Sequence, residues 1–246
     1  MKTILVVPDL HGQEKDEVAW RICLRVAKWL EPNICVVLGD FMDSESVSTH
    51  PRNSCRPPNL GEDYAVANQD LDALDSALPA ICKKHFIEGN HEDRITRFLR
   101  NQAPELDGAL LLPREALRLN ERGWKWIPYG ETLTIGKMIF VHGWYTIKFH
   151  AARHTDRLGD SVFYGHTHQF QAFQTFHGSN AHLGMNLGCL CKVNPKWLRG
   201  KPNDWALGFG IIYFDEKTGE FWPQFVPIIN GRAVILGKIF GTRRAA

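Results

Sequence analysis

Hydrophobic and polar residues follow two different periods along the first part of the chain. Short aliphatic runs, each ending at a polar residue or a glycine, predict buried strands at 4–7, 34–38 and 85–88. Between and after these runs, apolar residues recur every three or four positions, which predicts helices over 15–30, 63–82 and 92–100. Alternating strands and helices of this kind indicate parallel strands joined by right-handed crossovers.

The second part of the chain changes character. Short runs with strand periodicity follow one another closely, and some are separated by glycine-containing turns. We predict one further helix, over 147–158, and strands at 124–127, 132–135, 137–141, 161–164, 170–176, 181–187, 207–214 and 219–227. Because no linker rich in Gly, Ser or Pro divides the chain, the pattern predicts a single α/β domain over 1–246, with two packed sheets and helices outside.

Two stretches show no regular period. Residues 43–62 contain three prolines, two arginines and a histidine, and residues 192–205 combine lysines and an arginine with two tryptophans. Long irregular segments within a compact domain are often functional. We therefore predict substrate loops over 39–62 and 192–205.

Composition narrows the class of protein. A net charge of +2, with 44% apolar and 23% charged residues, is typical of a globular protein and gives no global field that recruits nucleic acid or a membrane. No apolar run reaches the length of a membrane span, which takes about 20 residues, so we expect no membrane partner. The six cysteines form no CxxC pair, which favours buried thiols and a cytoplasmic location. Cys189 and Cys191 are interpreted as neighbours on one face of a strand, with metal ligation as the alternative.

Candidate chemistry lies where strands end. Five predicted strands each deliver a His, Asp or Asn at the carboxyl end, usually beside a glycine, and the carboxyl ends of parallel strands share one edge of a sheet. The convergent set is Asp9, His11, Asp40, Asn90, His142, His166 and His168. Its oxygen and imidazole donors suit Mn²⁺, Fe²⁺ or Zn²⁺. Seven donors are too many for one ion but suit two ions about 3.5–4 Å apart, with Asp40 as the bridge.

The same residues form five sequence blocks: DLH at 9–11, GDFMD at 39–43, GNHE at 89–92, HG at 142–143 and GHTH at 165–168. In this order they resemble the calcineurin-like metallophosphoesterase superfamily. The resemblance implies an αββα sandwich of two mixed β-sheets flanked by helices. It also implies a first metal held by Asp9, His11, Asp40 and His168, and a second held by Asp40, Asn90, His142 and His166.

The resemblance further implies a reaction, in which a hydroxide bridging the two ions attacks phosphorus. His91 would then act as a general acid or electrostatic stabiliser near the leaving group. Manganese is the favoured metal, with iron, zinc, nickel or cobalt as alternatives. GHTH is similar to the phosphodiesterase side of the family, so we favour a phosphodiesterase acting on nucleotides or single-stranded nucleic acid. A phosphomonoesterase or protein phosphatase is the alternative, and an inert scaffold of the same fold is the third reading.

Substrate contacts are hypotheses at this point. In GNHEDR, Arg94 is either a phosphate clamp or a helix-surface charge, and Glu92 and Asp93 are expected in the first turn of the following helix. The 43–62 loop offers His50, Arg52 and Arg56, unless it is merely solvated. The 192–205 stretch is either a surface connection or a stacking platform of a single-strand site, formed by Lys192, Lys196, Trp197, Arg199, Lys201 and Trp205. Four other histidines are interpreted as surface residues or supports for the ligands: His150, His154, His177 and His182.

Overall fold

The computed structural model of the chain describes residues 1–49, 59–106, 108–178, 180–195 and 198–241. Its helices are α1 (Glu17–Leu30), α2 (Leu60–Ala77), α3 (Asn90–Gln102), α4 (Pro113–Ala116) and α5 (His150–Leu158). Its strands are β1 (Lys2–Val7), β2 (Ile34–Val37), β3 (Lys83–Ile87), β4 (Trp124–Ile127), β5 (Leu133–Ile135), β6 (Met138–Phe140), β7 (Ser161–Tyr164), β8 (Phe170–His177), β9 (Asn180–Leu187), β10 (Gly208–Phe214), β11 (Phe221–Pro227), β12 (Arg232–Ile235) and β13 (Lys238–Gly241).

The larger sheet has six strands in the order β11-β10-β1-β2-β3-β4. Strands β1 to β4 run parallel, whereas β10 pairs with β1 and β11 pairs with β10 in antiparallel fashion. The second sheet has the order β5-β6-β7-β9-β8, with parallel pairing only from β6 to β7 and from β7 to β9. Both sheets are therefore mixed, as expected.

The order of the layers follows from the alternation of side chains along the strands. In β1, Leu5 and Val7 pack with α1 and α2, whereas Ile4 and Val6 face the second sheet. The space between the sheets is filled by large apolar side chains such as Phe140 and Phe163. Helix α5 covers the outer face of the second sheet. The αββα fold predicted from the sequence is confirmed.

Helix boundaries are set by local capping. The Asp16 carboxylate accepts from the backbone N–H groups of Val18 and Ala19 at the start of α1. At the start of α2, the Asn59 side chain accepts from the backbone N–H groups of Gly61 and Glu62. Because Pro79 disfavours helical backbone in the residue before it, α2 ends at Ala77 instead of continuing to 82. Among the described residues, no helix combines the length and apolarity needed to cross a bilayer.

The sequence did not predict the short helix α4 or the hairpin formed by β12 and β13. The inward side chains of the hairpin, Ala233, Ile235 and Phe240, pack on α1, whereas Val234 and Ile239 point outward and are exposed. This two-residue alternation follows the predicted final strand without a long polar turn. The reading therefore ended the fold one hairpin too early.

Candidate metal centre

The carboxyl ends of strands from both sheets meet at one edge of the sandwich. Asp9, Asp40 and Asn90 follow β1, β2 and β3 of the first sheet, and His142 and His166 follow β6 and β7 of the second. The structure brings all seven predicted ligands together at this edge.

The first set of donors consists of Asp9, His11, Asp40 and His168. One donor atom from each of the four lies within 4.8 Å of the others. The Nε2 atoms of His11 and His168 are 3.0 Å apart, and Asp40 Oδ2 lies 3.8 Å from His11 Nε2. These are the four side chains that the resemblance assigns to the first metal.

The second set is built on the other side of Asp40. Donor atoms of Asp40, His142 and His166 lie within 4.8 Å of one another. His142 Nε2 lies 2.8 Å from Asn90 Oδ1, 3.2 Å from His166 Nδ1 and 3.4 Å from Asp40 Oδ2. Asp40 is thus common to both sets, which is the arrangement expected of a bridging carboxylate.

The seven donors are carboxylate, amide and imidazole groups, and their chemistry is the test of whether they fit metal ions. The Nδ1–H of His142 donates to the carbonyl oxygen of Leu38, so the lone pair of Nε2 points at the oxygens of Asn90 and Asp40. Three acceptors cannot converge on one point unless a proton or a cation lies among them. Seven neutral or anionic donors with this geometry fit two divalent ions.

The pKa shifts of Asp9 and His142 also agree with a site that holds cations. Burial, together with the nearby Asp40 carboxylate, raises the pKa of Asp9 to about 7 against the opposing effect of His142. Burial opposes a charge on His142 too, but the Asp40 and Asp9 carboxylates outweigh it and raise the pKa of His142 to about 9. The carboxylates therefore draw protons to this site in place of cations.

The ligand loops have unusual backbone conformations. Four of the seven donors, His11, Asp40, His166 and His168, have left-handed backbone, with φ between 47° and 71°. Such residues cost of order 1–3 kcal/mol each and cluster at functional sites. Gly39 and Gly89 pack so closely that a Cβ on Gly39 would lie 2.6 Å from the Gly89 Cα, so only glycine fits there.

His91 lies beside the first donor set but belongs to a separate chain of contacts. Its ring meets that of His11 edge-on at 4.4 Å, and its Nδ1–H donates to Asp43, whose Oδ1 also lies 3.1 Å from His11 Nδ1. Burial lowers the pKa of His91, although Asp40 and Asp43 oppose that shift. Asp43, the last residue of the GDFMD block, was not among the predicted site residues, and it orients both histidines.

Arg94 lies beside His91 and is not a helix-surface charge, and its role as a phosphate clamp stays a prediction. Its guanidinium is half-buried, and it donates to the Asp43 carbonyl oxygen at 3.0 Å and to His91 Nε2 at 2.8 Å. A histidine nitrogen that accepts a hydrogen bond carries a lone pair, so His91 is neutral in this arrangement. The reading of Arg94 as a surface charge is wrong, because the side chain is directed at His91.

Glu92 does more than complement the dipole of α3. Its side chain is fully buried and accepts from the backbone N–H groups of Asp40, Met42 and Gly89, at 2.8–3.0 Å. It thereby ties the loop after β2 to the start of α3. Asp93, in contrast, lies in the first turn as expected and pairs with Arg97.

Replacing Glu92 with Ala is expected to lower the free energy of unfolding by about 3 kcal/mol or more, because three buried N–H donors lose their acceptor. Urea unfolding of the metal-free protein measures this. Glu62→Ala, at an exposed position in the first turn of α2, is the matched control and should change stability by less than about 1 kcal/mol. A Glu92→Ala protein as stable as the parent would contradict the structural role.

Behind the GHTH block lies a buried polar cluster. His150 and His154 are 1% and 0% exposed, so their interpretation as surface residues is wrong. The rings of both contact Tyr164, and His154 Nε2 accepts from the Trp144 N–H. Asn186, which the sequence reading missed, is buried and donates to the Gly165 carbonyl oxygen and to Thr167 Oγ1. These contacts support the loop that carries His166 and His168.

Other predicted residues fall elsewhere. The side chain of His182 lies 3.4 Å from Asp160 and does not orient a ligand. His50, Arg52, Arg56, Lys196 and Trp197 lie outside the described residues. Cys189 and Cys191 are buried and make separate β-bridges, with Leu207 and Lys15 respectively. The Cys191 sulfur lies 3.8 Å from His168 Nδ1, beside the first donor set.

Comparison with known proteins places this geometry in context. Residues 2–170 match the sequence family of calcineurin-like phosphoesterases. Among solved structures, Vps29 from Cryptosporidium parvum shows a TM-score of 0.51 at 14% identity, with 98% of each chain covered. The phosphoesterase YfcE from E. coli gives 0.40 at 16% identity, covering 91% of this chain and 98% of that one. Vps29 from Entamoeba histolytica, solved with Zn²⁺, gives 0.48 at 11% identity, covering 96% and 95%. No curated protein sequence matches the chain.

Proposed function

Because the chain belongs to the calcineurin-like phosphoesterase family, we propose that it is a two-metal phosphodiesterase whose edge-of-sheet donor sets hold the ions. The observation that carries the proposal is the pair of donor sets joined through Asp40. Asp9, His11, Asp40 and His168 would hold one ion, and Asp40, Asn90, His142 and His166 the other. A complete set argues against the inert-scaffold reading, which predicts missing ligands.

Two bound divalent ions would lower the pKa of a water molecule and neutralise the phosphoryl oxygens. The residues of the chain supply the remaining requirements. Asn90 adds an amide oxygen without a negative charge, so this ligand does not repel an anionic substrate. Leu38 and Asp43 fix the ring orientations of His142 and His11 through hydrogen bonds to their outer nitrogens.

His91 is placed to act on the leaving group. Its ring lies against His11, and its Nε2 lies 3.7 Å from Asp40 Oδ2, so it borders the two donor sets without belonging to either. Asp43 fixes the tautomer through Nδ1, and the Arg94 guanidinium supplies a further cation at Nε2. A proton taken up at Nε2, in place of the Arg94 contact, would make His91 an acid for a departing oxygen, and the Arg94 guanidinium would add positive charge beside it.

Diesters are favoured over monoesters on two grounds. The GHTH block is similar to the phosphodiesterase side of the family. In addition, the Arg94 guanidinium is engaged with His91 and the Asp43 carbonyl, and a monoester, which carries the larger negative charge, would call for a freer cation.

We propose nucleotides or single-stranded nucleic acid as substrates, manganese ahead of iron, zinc, nickel or cobalt as the metal, and a cytoplasmic location. The five cysteines within the described residues are free thiols, as that location requires.

The preference for diesters over monoesters is tested by comparing rates on paired substrates. With Mn²⁺ added, kcat/KM for bis(p-nitrophenyl) phosphate is expected to exceed that for p-nitrophenyl phosphate by tenfold or more, which corresponds to about 1.4 kcal/mol or more. The panel then extends to 2′,3′-cyclic nucleotides and single-stranded DNA. A preference for the monoester would replace the proposal with the phosphomonoesterase alternative. A metal-loaded protein inert toward both would favour the scaffold.

A further inference from the structure

The 192–205 loop is anchored directly on the first donor set. At one end, the Lys192 N–H donates to the carbonyl oxygen of Glu14, three residues after the DLH block ends at His11. At the other end, the Ala206 N–H donates to the carbonyl oxygen of His168 at 2.8 Å. The Asn203 side chain donates to the Val193 carbonyl oxygen and closes the loop on itself. Both ends of the loop therefore lie next to residues of the first donor set.

Trp205, at the foot of this loop, lies against a predicted ligand. Its ring centroid is 4.3 Å from that of His168, and the two planes meet at 74°. The backbone around it is fixed by a β-bridge to Gln169 and by a hydrogen bond from the Trp205 N–H to Asn203 Oδ1. The indole is half-buried, so part of it faces solvent beside the metal centre. The indole is therefore held at the edge of the first donor set.

The described part of the loop is also basic. Lys192, Arg199 and Lys201 are exposed, and Asp204 is the acidic residue among them. Aromatic rings beside cations are the combination with which proteins hold the bases and backbone of single-stranded nucleic acid. Within a nucleotide, one sugar separates a base from its phosphate. A ring adjacent to a metal ligand is therefore within reach of a base whose phosphate lies at the donor sets.

We propose that Trp205 forms a base-binding subsite, in which the indole stacks on the nucleobase of a nucleoside phosphodiester and the loop cations contact its neighbouring phosphates. This proposal rests on the phosphodiesterase function proposed above and assigns the residue that recognises the base of its substrate. It also gives the loop a role that its length and composition alone did not specify.

The test compares two diesters that share a leaving group: thymidine 5′-(p-nitrophenyl phosphate), which carries a base, and methyl p-nitrophenyl phosphate, which does not. The parent protein should prefer the thymidine ester. In Trp205→Ala, the ratio of the two kcat/KM values should fall about 10–100-fold, the range that one stacked base contributes, mainly through KM. Trp205→Phe should retain most of the preference. Trp222→Ala, an exposed tryptophan on β11, is the matched control and should leave the ratio unchanged.

Two further measurements separate this proposal from a purely structural role and from failure of the proposed function. Bound metal, counted by mass spectrometry, should be equal in the parent and in Trp205→Ala. Loss of metal, or an equal loss of rate on both esters, would show that Trp205 only supports His168. Binding of thymidine 5′-phosphate to the Mn²⁺-loaded protein, measured by calorimetry, should weaken in Trp205→Ala even if neither ester is hydrolysed. A parent that hydrolyses both esters equally well would overturn the subsite and leave the phosphodiesterase in place.

Discussion

Replacing Asp40 with Asn is expected to abolish Mn²⁺-stimulated hydrolysis of bis(p-nitrophenyl) phosphate, with kcat/KM lower by about a thousandfold or more. The carboxylate belongs to both donor sets, so the change weakens two sites at once. Metal ions contribute several kcal/mol to such reactions, and each 1.36 kcal/mol is tenfold in rate. Steady-state kinetics with increasing Mn²⁺ measures the effect.

Two companion variants make this result interpretable. His142→Ala removes a donor of the second set only, and it should also abolish turnover while leaving the first set intact. Glu216→Gln, an exposed carboxylate paired with Lys2, should behave like the parent protein. An Asp40→Asn protein that binds two ions and hydrolyses the diester normally would contradict the bridging role.

Replacing His91 with Ala is expected to lower kcat by about 10²–10⁴, the usual contribution of a positioned acid or base, while both metals stay bound. The reason is geometric: His91 borders the first donor set, but its Nδ1 is held by Asp43 and its Nε2 by Arg94. Rates at saturating Mn²⁺, together with metal counting, separate chemistry from metal binding.

The pattern of rates on different leaving groups sharpens the test of His91. The loss should be largest for an alkyl leaving group and smaller for p-nitrophenolate, which departs without needing a proton. Arg97→Ala, one turn along α3 from Asp93 and exposed, serves as the control. If His91→Ala lost its metals, His91 would be a ligand and its assignment to the leaving group would be wrong.

The strands and the ligand set were accessible from the sequence because both are local signals. A buried parallel strand is a short aliphatic run, and the residue that follows it lies at the sheet edge whatever the rest of the chain does. Asp9, Asp40 and Asn90 could be placed in this way without knowledge of their partners. The order of the five blocks then made their convergence predictable.

The supporting residues were not accessible, because their roles depend on contacts between distant segments. Nothing near Asn186 in the sequence shows that its amide holds the loop after β7. Glu92 reads as an ordinary first-turn carboxylate until the loop after β2 is known to lie above it. His150 and His154 lie on a helix whose polar residues predict exposure, yet the second sheet buries them. The left-handed conformation of His166 likewise has no local sequence signal.

The span of the donor sets has a consequence for how the protein unfolds. Asp9 and His166, 157 residues apart in the chain, touch through a backbone N–H, and each donor set takes residues from both sheets. An ion bound there holds the two sheets together and stabilises only the state in which they are packed. Opening of either sheet should then expose the amides of both at once, so that metal loading would slow hydrogen exchange across the whole sandwich instead of only around the loops. Metal ions bound at these donor sets would therefore make the two sheets one cooperative unit.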